Sequence, residues 1–209
     1  MEQRSEEWFA ARLGKVTASK IVDVMARTKA GWGAGRANYM AQLISERLTG
    51  EQQSSFSNAA MQWGTDTEPQ ARAAYTLITG RTVEEVGFVD HPAIEMSGAS
   101  PDGLVGDSGL VEIKCPNTAT HLETLITGAV PTKYRKQMLW QMACTGRAWC
   151  DFASFDPRVP FEMQLFVQRV ELDPADLAET EAAVREFLAE TAAKITELET
   201  KYQNKEIAA

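Results

Sequence analysis

One segment constrains this chain more than any other: Ser100-Pro101-Asp102-Gly103 is followed, ten residues after the aspartate, by Glu112-Ile113-Lys114 on a short apolar run. Asp107-Ser108-Gly109 between them reads as the turn of a β-hairpin, with 110–114 returning beside 102–106. Pairing 106 with 110 sets 102 opposite 114. Opposite residues share a face and side chains alternate with period two, so Asp102, Glu112 and Lys114 are expected on one face. The two carboxylates then become diagonal neighbours, about 7–8 Å apart at their α-carbons. That leaves room for a cation bound by both at roughly 2.0–2.1 Å, with the main-chain carbonyl of Ile113 as a further ligand. Hard oxygen donors favour Mg²⁺ or Mn²⁺ over zinc. An ammonium beside such an ion holds the attacking water and meets the charge that builds on a phosphorane-like transition state. This is the residue set of a metal-dependent phosphodiesterase. Each half also has a plainer reading, since Ser-Pro-Asp-Gly is an ordinary turn and Glu-x-Lys an ordinary solvated strand face. Their spacing on one face favours the site.

With 209 residues, 44% of them hydrophobic, the chain suits one domain with a full core. A net charge of −8 argues against nucleic acid only until its distribution is considered. From Glu171 onward ten acids face four bases, whereas between Arg12 and Arg36 six bases (Arg12, Lys15, Lys20, Arg27, Lys29, Arg36) face Asp23 alone. Lys133, Arg135 and Lys136 form a second basic group. Such groups either neutralise phosphates locally or are solvated helix faces. Three cysteines, Cys115, Cys144 and Cys150, lack Cys-x-x-Cys spacing and argue against disulfides or a zinc ribbon, which implies a reducing cytoplasm. The opening Met1-Glu2-Gln3-Arg4-Ser5-Glu6-Glu7 carries no targeting pattern, and no segment is apolar enough to span a membrane. His91 and His121 lie outside any serine-hydrolase or zincin motif.

Periodicity predicts an α/β fold, a mixed central β-sheet flanked by helices. A helical N-terminal part spans 1–80, a core 81–172 and a C-terminal helix 174–203. Within the first part, helix is expected over 6–25 with a break at Leu13-Gly14, over 38–48, and from Thr65 or Thr67 to Ile78. Ala30-Gly31-Trp32-Gly33-Ala34-Gly35 reads as a loop, and 52–58 as an exposed polar stretch. Thr65-Asp66-Thr67-Glu68 fits a capping box, which gives Glu68 a structural role. Strands are expected over 81–90, 147–156 and 161–172 beside the hairpin, and helices over 117–126 and 133–145.

These residues resemble the phage lambda exonuclease type of alkaline nuclease, the YqaJ viral recombinase family, within the restriction-endonuclease-like nucleases. The resemblance runs nearly full length through Trp8 with Arg12-Leu13-Gly14-Lys15-Val16-Thr17-Ala18-Ser19, then Trp63-Gly64 and Glu68, then Ser100-Pro101-Asp102-Gly103-Leu104. It continues through Glu112-Ile113-Lys114-Cys115-Pro116, Tyr134 with Gln137, and Phe155-Asp156-Pro157-Arg158. It implies a 5′→3′ exonuclease that digests one strand of linear double-stranded DNA, with Mg²⁺ or Mn²⁺ and two ions per site, as a ring-shaped homotrimer supplying a single-strand-annealing recombinase in phage-type recombination. By the same resemblance Asp102 and Glu112 are metal ligands, Lys114 orients the water, and Gln137 holds the nucleophile or scissile phosphate. Glu68 matches an acid near the second metal, in competition with its capping role. Arg12, Ser19 and Ser100 match a pocket for the terminal 5′-phosphate, and Met61 an apolar side chain that parts the terminal base pair. The 28–36 region departs from the family pattern, as does the acid upstream of Ser100, for which Asp90 is the nearest candidate. The rival readings are an endonuclease of the same fold, marked by cutting of closed circles, and a catalytically silent DNA-binding module, marked by binding without hydrolysis.

Overall fold

The computed structural model describes residues 1–29, 31–53 and 59–202. From the N-terminus run α1 (Glu6–Arg12), β1 (Val16–Thr17), α2 (Ile21–Val24), β2 (Arg27–Thr28), β3 (Gly31–Trp32), α3 (Ala34–Thr49) and α4 (Ala59–Thr79). Then follow β4 (Val83–Glu84), β5 (Val89–Asp90), β6 (Ser97–Ala99), β7 (Gly103–Val105) and β8 (Gly109–Lys114). The chain closes with α5 (Thr118–Thr127), α6 (Thr132–Thr145), β9 (Trp149–Phe155), β10 (Leu165–Glu171) and α7 (Pro174–Tyr202). The central sheet has the order β10-β9-β8-β7-β4; a smaller sheet is ordered β1-β6-β5, and β2 pairs with β3.

β8 and β9 run parallel at the middle of the central sheet. Strands so placed are covered on both faces and must be apolar on both. Along β8, Val111 and Ile113 pack against Ala71 and Tyr75 of α4. Leu110, on the opposite face, packs with Met138, Leu139 and Met142 of α6. A third core gathers Val16, Ile21, Leu43, Trp140 and Phe187 where α2, α3, α6 and α7 meet the smaller sheet.

Two buried carboxylates interrupt these apolar strands, Glu112 and Asp151, and each is answered by donors. Asp151 accepts the Tyr75 hydroxyl at 2.7 Å and both Nε and a terminal nitrogen of Arg169 at 2.8 and 3.1 Å. Burial, and then Asp151 itself, hold the Tyr75 phenol above its ordinary value, so it remains a donor. Asp151→Ala strands the buried hydroxyl and removes the partner of Arg169. We expect it to cost about 2–3 kcal/mol in urea denaturation; an unchanged midpoint contradicts this.

The mixed sheet flanked by helices agrees with the sequence expectation, and α7 begins at Pro174 as expected; residue 203 lies outside the described residues. Several boundaries differ. The hairpin register is displaced by two residues: Gly103 pairs with Val111 and Val105 with Gly109, so 102 stands opposite 112 rather than 114. The turn starts at Gly106, whose φ of +55° suits glycine. A two-residue displacement keeps every side chain on its face, so the shared face survives while the neighbours change.

The 81–90 stretch is two strands in two sheets, because between them the Val86 carbonyl is taken by Gln3 Nε2 at 2.8 Å instead of a strand partner. β1 and β6 are too short to show alternation in sequence, and β1 divides the helix expected over 6–25. The helix expected from Asn38 starts at Ala34, and strand 161–172 starts at Leu165 after a 3-10 turn. Ala30 and 54–58 lie outside the described residues. α4 is helical from Ala59, so Thr65 is interior and the capping box at Thr65–Glu68 does not exist; the Thr65 hydroxyl donates back to the Met61 carbonyl at 3.1 Å.

Candidate active site

Glu112 has no exposed surface, and a bare carboxylate there would be prohibitively costly. Two amides of α6 answer it: Gln137 Nε2 donates to Oε1 and Gln141 Nε2 to Oε2, each at 2.6 Å. Four residues apart, the glutamines share one helix face and meet β8 together. Lys114, two residues along the same strand face, forms an ion pair with Oε1 of Glu112. Desolvation alone would lower its ammonium, but Glu112 and Asp102 outweigh it and hold Lys114 above the ordinary lysine value. The site lysine is therefore a cation at neutral pH.

Asp102 stands at the open end of the hairpin, where its Oδ2 accepts the Ile113 N–H at 2.7 Å and so continues the ladder with a side chain. Gly103 beside it is required by packing, since a Cβ there would fall 2.1 Å from Cγ1 of Val83. Burial and then the charge of Glu112 push the Asp102 carboxyl well above the aspartate range; Lys114 and the Ile113 N–H only partly oppose this. Two carboxylates in a desolvated site with one ammonium lack positive charge, which a hard divalent cation supplies. Among the described residues no group of three His, Cys, Asp or Glu side chains is placed to hold an ion. The donor set still fits Mg²⁺, an ion held by one or two carboxylates that keeps several of its waters.

Glu68 on α4 borders the same cavity, about 600 Å³, together with Asp102, Lys114, Tyr134 and Gln137. Its oxygens are engaged by Arg72 at 2.7 Å and Arg4 at 3.2 Å. Asp90 is not brought here. It lies on β5 of the smaller sheet, largely exposed and paired with Lys15 at 2.6 Å, so its candidacy as a ligand receives no support.

A second cavity, about 520 Å³, is lined by Arg12, Lys15, Ser19 and Lys20. Arg4, Met61 and Thr65 border both cavities. The Arg12 guanidinium lies 3.9 Å from the Trp8 ring centroid, and among the described residues it makes no ion pair. Burial lowers it from the ordinary arginine value, and the nearby Tyr39 and Glu46 only partly oppose this. Trp8 is fixed by its indole N–H, which donates to Ser100 Oγ at 2.9 Å. Ser100 thus stands behind the Arg12 shelf rather than on the cavity wall. The segment after Arg12 is clamped by Tyr39, whose hydroxyl accepts the Thr17 N–H at 3.1 Å and donates to the Lys15 carbonyl at 3.2 Å; burial pushes that phenol up to about 12. Met61 is 53% exposed at the seam and is not core.

Sequence reasoning misses Gln141 and Arg4. Gln141 carried a signal, its spacing of four from Gln137; Arg4 carried none. The Trp63 and Arg158 motif segments meet as a stack, with the guanidinium 4.3 Å from the ring centroid.

Residues 7–148 match the family described as the YqaJ-like viral recombinase domain. Among solved structures, the alkaline exonuclease LHK-Exo from Laribacter hongkongensis is 59% identical with a TM-score of 0.90, covering 96% of this chain and 99% of that one. LHK-Exo in complex with dAMP is 60% identical with the same TM-score and coverage. The phage related exonuclease from Haemophilus somnus 129PT shares the fold at a TM-score of 0.70 and 15% identity, over 88% of this chain and 96% of that one. No curated protein matches.

Proposed function

Because the chain belongs to the YqaJ-like viral recombinase family, we propose that it is a phage-type 5′→3′ exonuclease that digests one strand of linear double-stranded DNA. The observation that carries this reading is the adjacency of the two cavities. One presents Asp102 and Lys114, backed by Glu112; the other presents a desolvated Arg12 that forms no ion pair among the described residues; Arg4, Met61 and Thr65 border both. A phosphodiesterase centre beside an anion pocket suits an enzyme that works from a phosphorylated end.

Asp102, Glu112 and the Ile113 carbonyl would hold Mg²⁺, which Mn²⁺ can replace, with Glu68 near a second ion. Bound there, the metal supplies Lewis acidity to the scissile phosphate and lowers the pKa of a water. Gln137 and Gln141 fix the orientation of the Glu112 carboxylate. The Lys114 ammonium holds the attacking water and meets the negative charge growing on the phosphate oxygens. Arg12 and the Ser19 hydroxyl receive the terminal 5′-phosphate by charge-assisted hydrogen bonds, and Met61 parts the terminal base pair.

The protein is proposed to act in the bacterial cytoplasm as a phage or prophage product, as a ring-shaped homotrimer that passes its product strand to a single-strand-annealing recombinase. Exposed apolar side chains support self-association: Ile126 on α5 is 85% exposed, and Phe161 and Met163 are 66% and 48% exposed. Cys115, Cys144 and Cys150 are free thiols. Among the described residues no helix is long and apolar enough to cross a membrane.

Linear duplexes with and without a 5′-phosphate test the pocket. The wild-type protein is expected to begin slowly on hydroxyl ends, and Arg12→Ala to abolish that difference and shorten the tract digested per encounter. Equal initiation on both ends by the wild type contradicts the pocket, and cutting of a closed circle points to the endonuclease reading.

A further inference from the structure

Among the described cationic side chains that line the two cavities, Arg4 alone borders both. Its backbone lies in the left-handed region, at φ +71°, which costs free energy for a residue bearing a Cβ. Its neighbours enforce the conformation. Gln3 Nε2 donates to the carbonyls of Val86 and Pro101, each at 2.8 Å, and Pro101 directly precedes Asp102. Ser5 caps α1, its hydroxyl accepting the Trp8 N–H at 3.2 Å. Between these anchors the chain turns the Arg4 side chain onto the seam.

The guanidinium there is weakly committed. Its side chain is 51% exposed, and its ion pair is a single contact to Glu68 Oε2 at 3.2 Å, a geometry that contributes little in solvent. Glu68 keeps Arg72 on its other oxygen, at 2.7 Å, if Arg4 leaves. A phosphate is a better partner for Arg4 than this shared carboxylate, since its oxygens match the planar fork of donors.

We propose that Arg4 binds the scissile phosphodiester, exchanging Glu68 for phosphate oxygens when the DNA end enters. The terminal phosphate is already served by Arg12, whereas Arg4 touches Glu68, which faces the cavity of Asp102 and Lys114. The exchange positions the linkage to be cut and leaves one Glu68 oxygen directed at the cavity. The proposal rests on the exonuclease reading above.

The test is binding of a labelled duplex end to the full chain without divalent metal, by fluorescence anisotropy at several salt concentrations. Omitting metal removes any effect that reaches DNA through Glu68 and an ion. Arg4→Ala is expected to weaken binding about tenfold on 5′-phosphate and 5′-hydroxyl ends alike. It also lowers the slope of log affinity against log salt by about 0.9, as for one lost phosphate contact. Arg4→Lys recovers the slope and only part of the affinity, because a point charge replaces a fork. Glu68→Gln, which removes the competing carboxylate, leaves metal-free binding undiminished. Unchanged affinity and slope in Arg4→Ala, or loss of that variant's preference for 5′-phosphate ends, overturns the proposal. Failure of the exonuclease reading is separate: the wild-type protein with Mg²⁺ would leave linear duplex undigested.

Discussion

Lys114→Ala is expected to slow digestion of linear duplex DNA by at least about 10²-fold while leaving DNA binding largely intact. The ammonium sits beside the Glu112 carboxylate and stays charged because Glu112 and Asp102 outweigh its desolvation. A fixed cation in a desolvated site acts most strongly on charge that develops during the reaction, so its removal affects the rate more than ground-state affinity. Lys114→Arg restores charge but not shape, and is expected to recover little. Single-turnover digestion with separately measured binding distinguishes these effects. Near-normal turnover by Lys114→Ala removes the lysine from the mechanism.

Glu112→Gln and Asp102→Asn are expected to act earlier, on metal binding itself, each lowering Mg²⁺ or Mn²⁺ affinity at least about tenfold. An amide oxygen carries less negative charge than a carboxylate. At Glu112 geometry adds to the loss, since both carboxylate oxygens accept amide N–H groups at 2.6 Å. A glutamine there sets its own NH₂ against one of those donors. At Asp102 the amide can keep its oxygen on the Ile113 N–H, so Asp102→Asn is expected to fold normally and still bind metal poorly. Titration calorimetry with each ion checks both variants; unchanged affinity in both excludes these residues as ligands.

What the sequence shows of the site, and what it hides, follows from how far each determinant lies along the chain. Asp102, Glu112 and Lys114 are legible as one face because strand parity is local and survives the two-residue error in register. Gln137 and Gln141 are legible in principle as one helix face, although nothing in α6 says that this face meets Glu112. Asp90 is not brought to the site because it belongs to another sheet, its strand pairing with Ser97–Ala99. The capping box at Thr65–Glu68 fails because α4 is already helical at Ala59. A local motif cannot reveal that a helix extends past it. Arg4 is the least legible. Its position depends on a left-handed backbone held by Gln3 contacts to residues 86 and 101, long-range contacts that neither composition nor periodicity encodes.

The same distinction holds for the fold. α7 and α6 are readable from their own periodicity, and β9 from its aromatic and β-branched content. β1, β5 and β6 are two or three residues each and exist because they pair with one another, which leaves no pattern of their own.

The most direct measurement of the account is digestion of a linear duplex carrying distinguishable labels at each 5′ and each 3′ end, with Mg²⁺ and with the metal chelated. The account predicts prompt release of the 5′ labels as mononucleotides, 3′ labels that persist on a shortening duplex with growing single-stranded tails, and no release without metal. Release of the 3′ labels first, internal cuts before either end is lost, or undiminished digestion after chelation would contradict it.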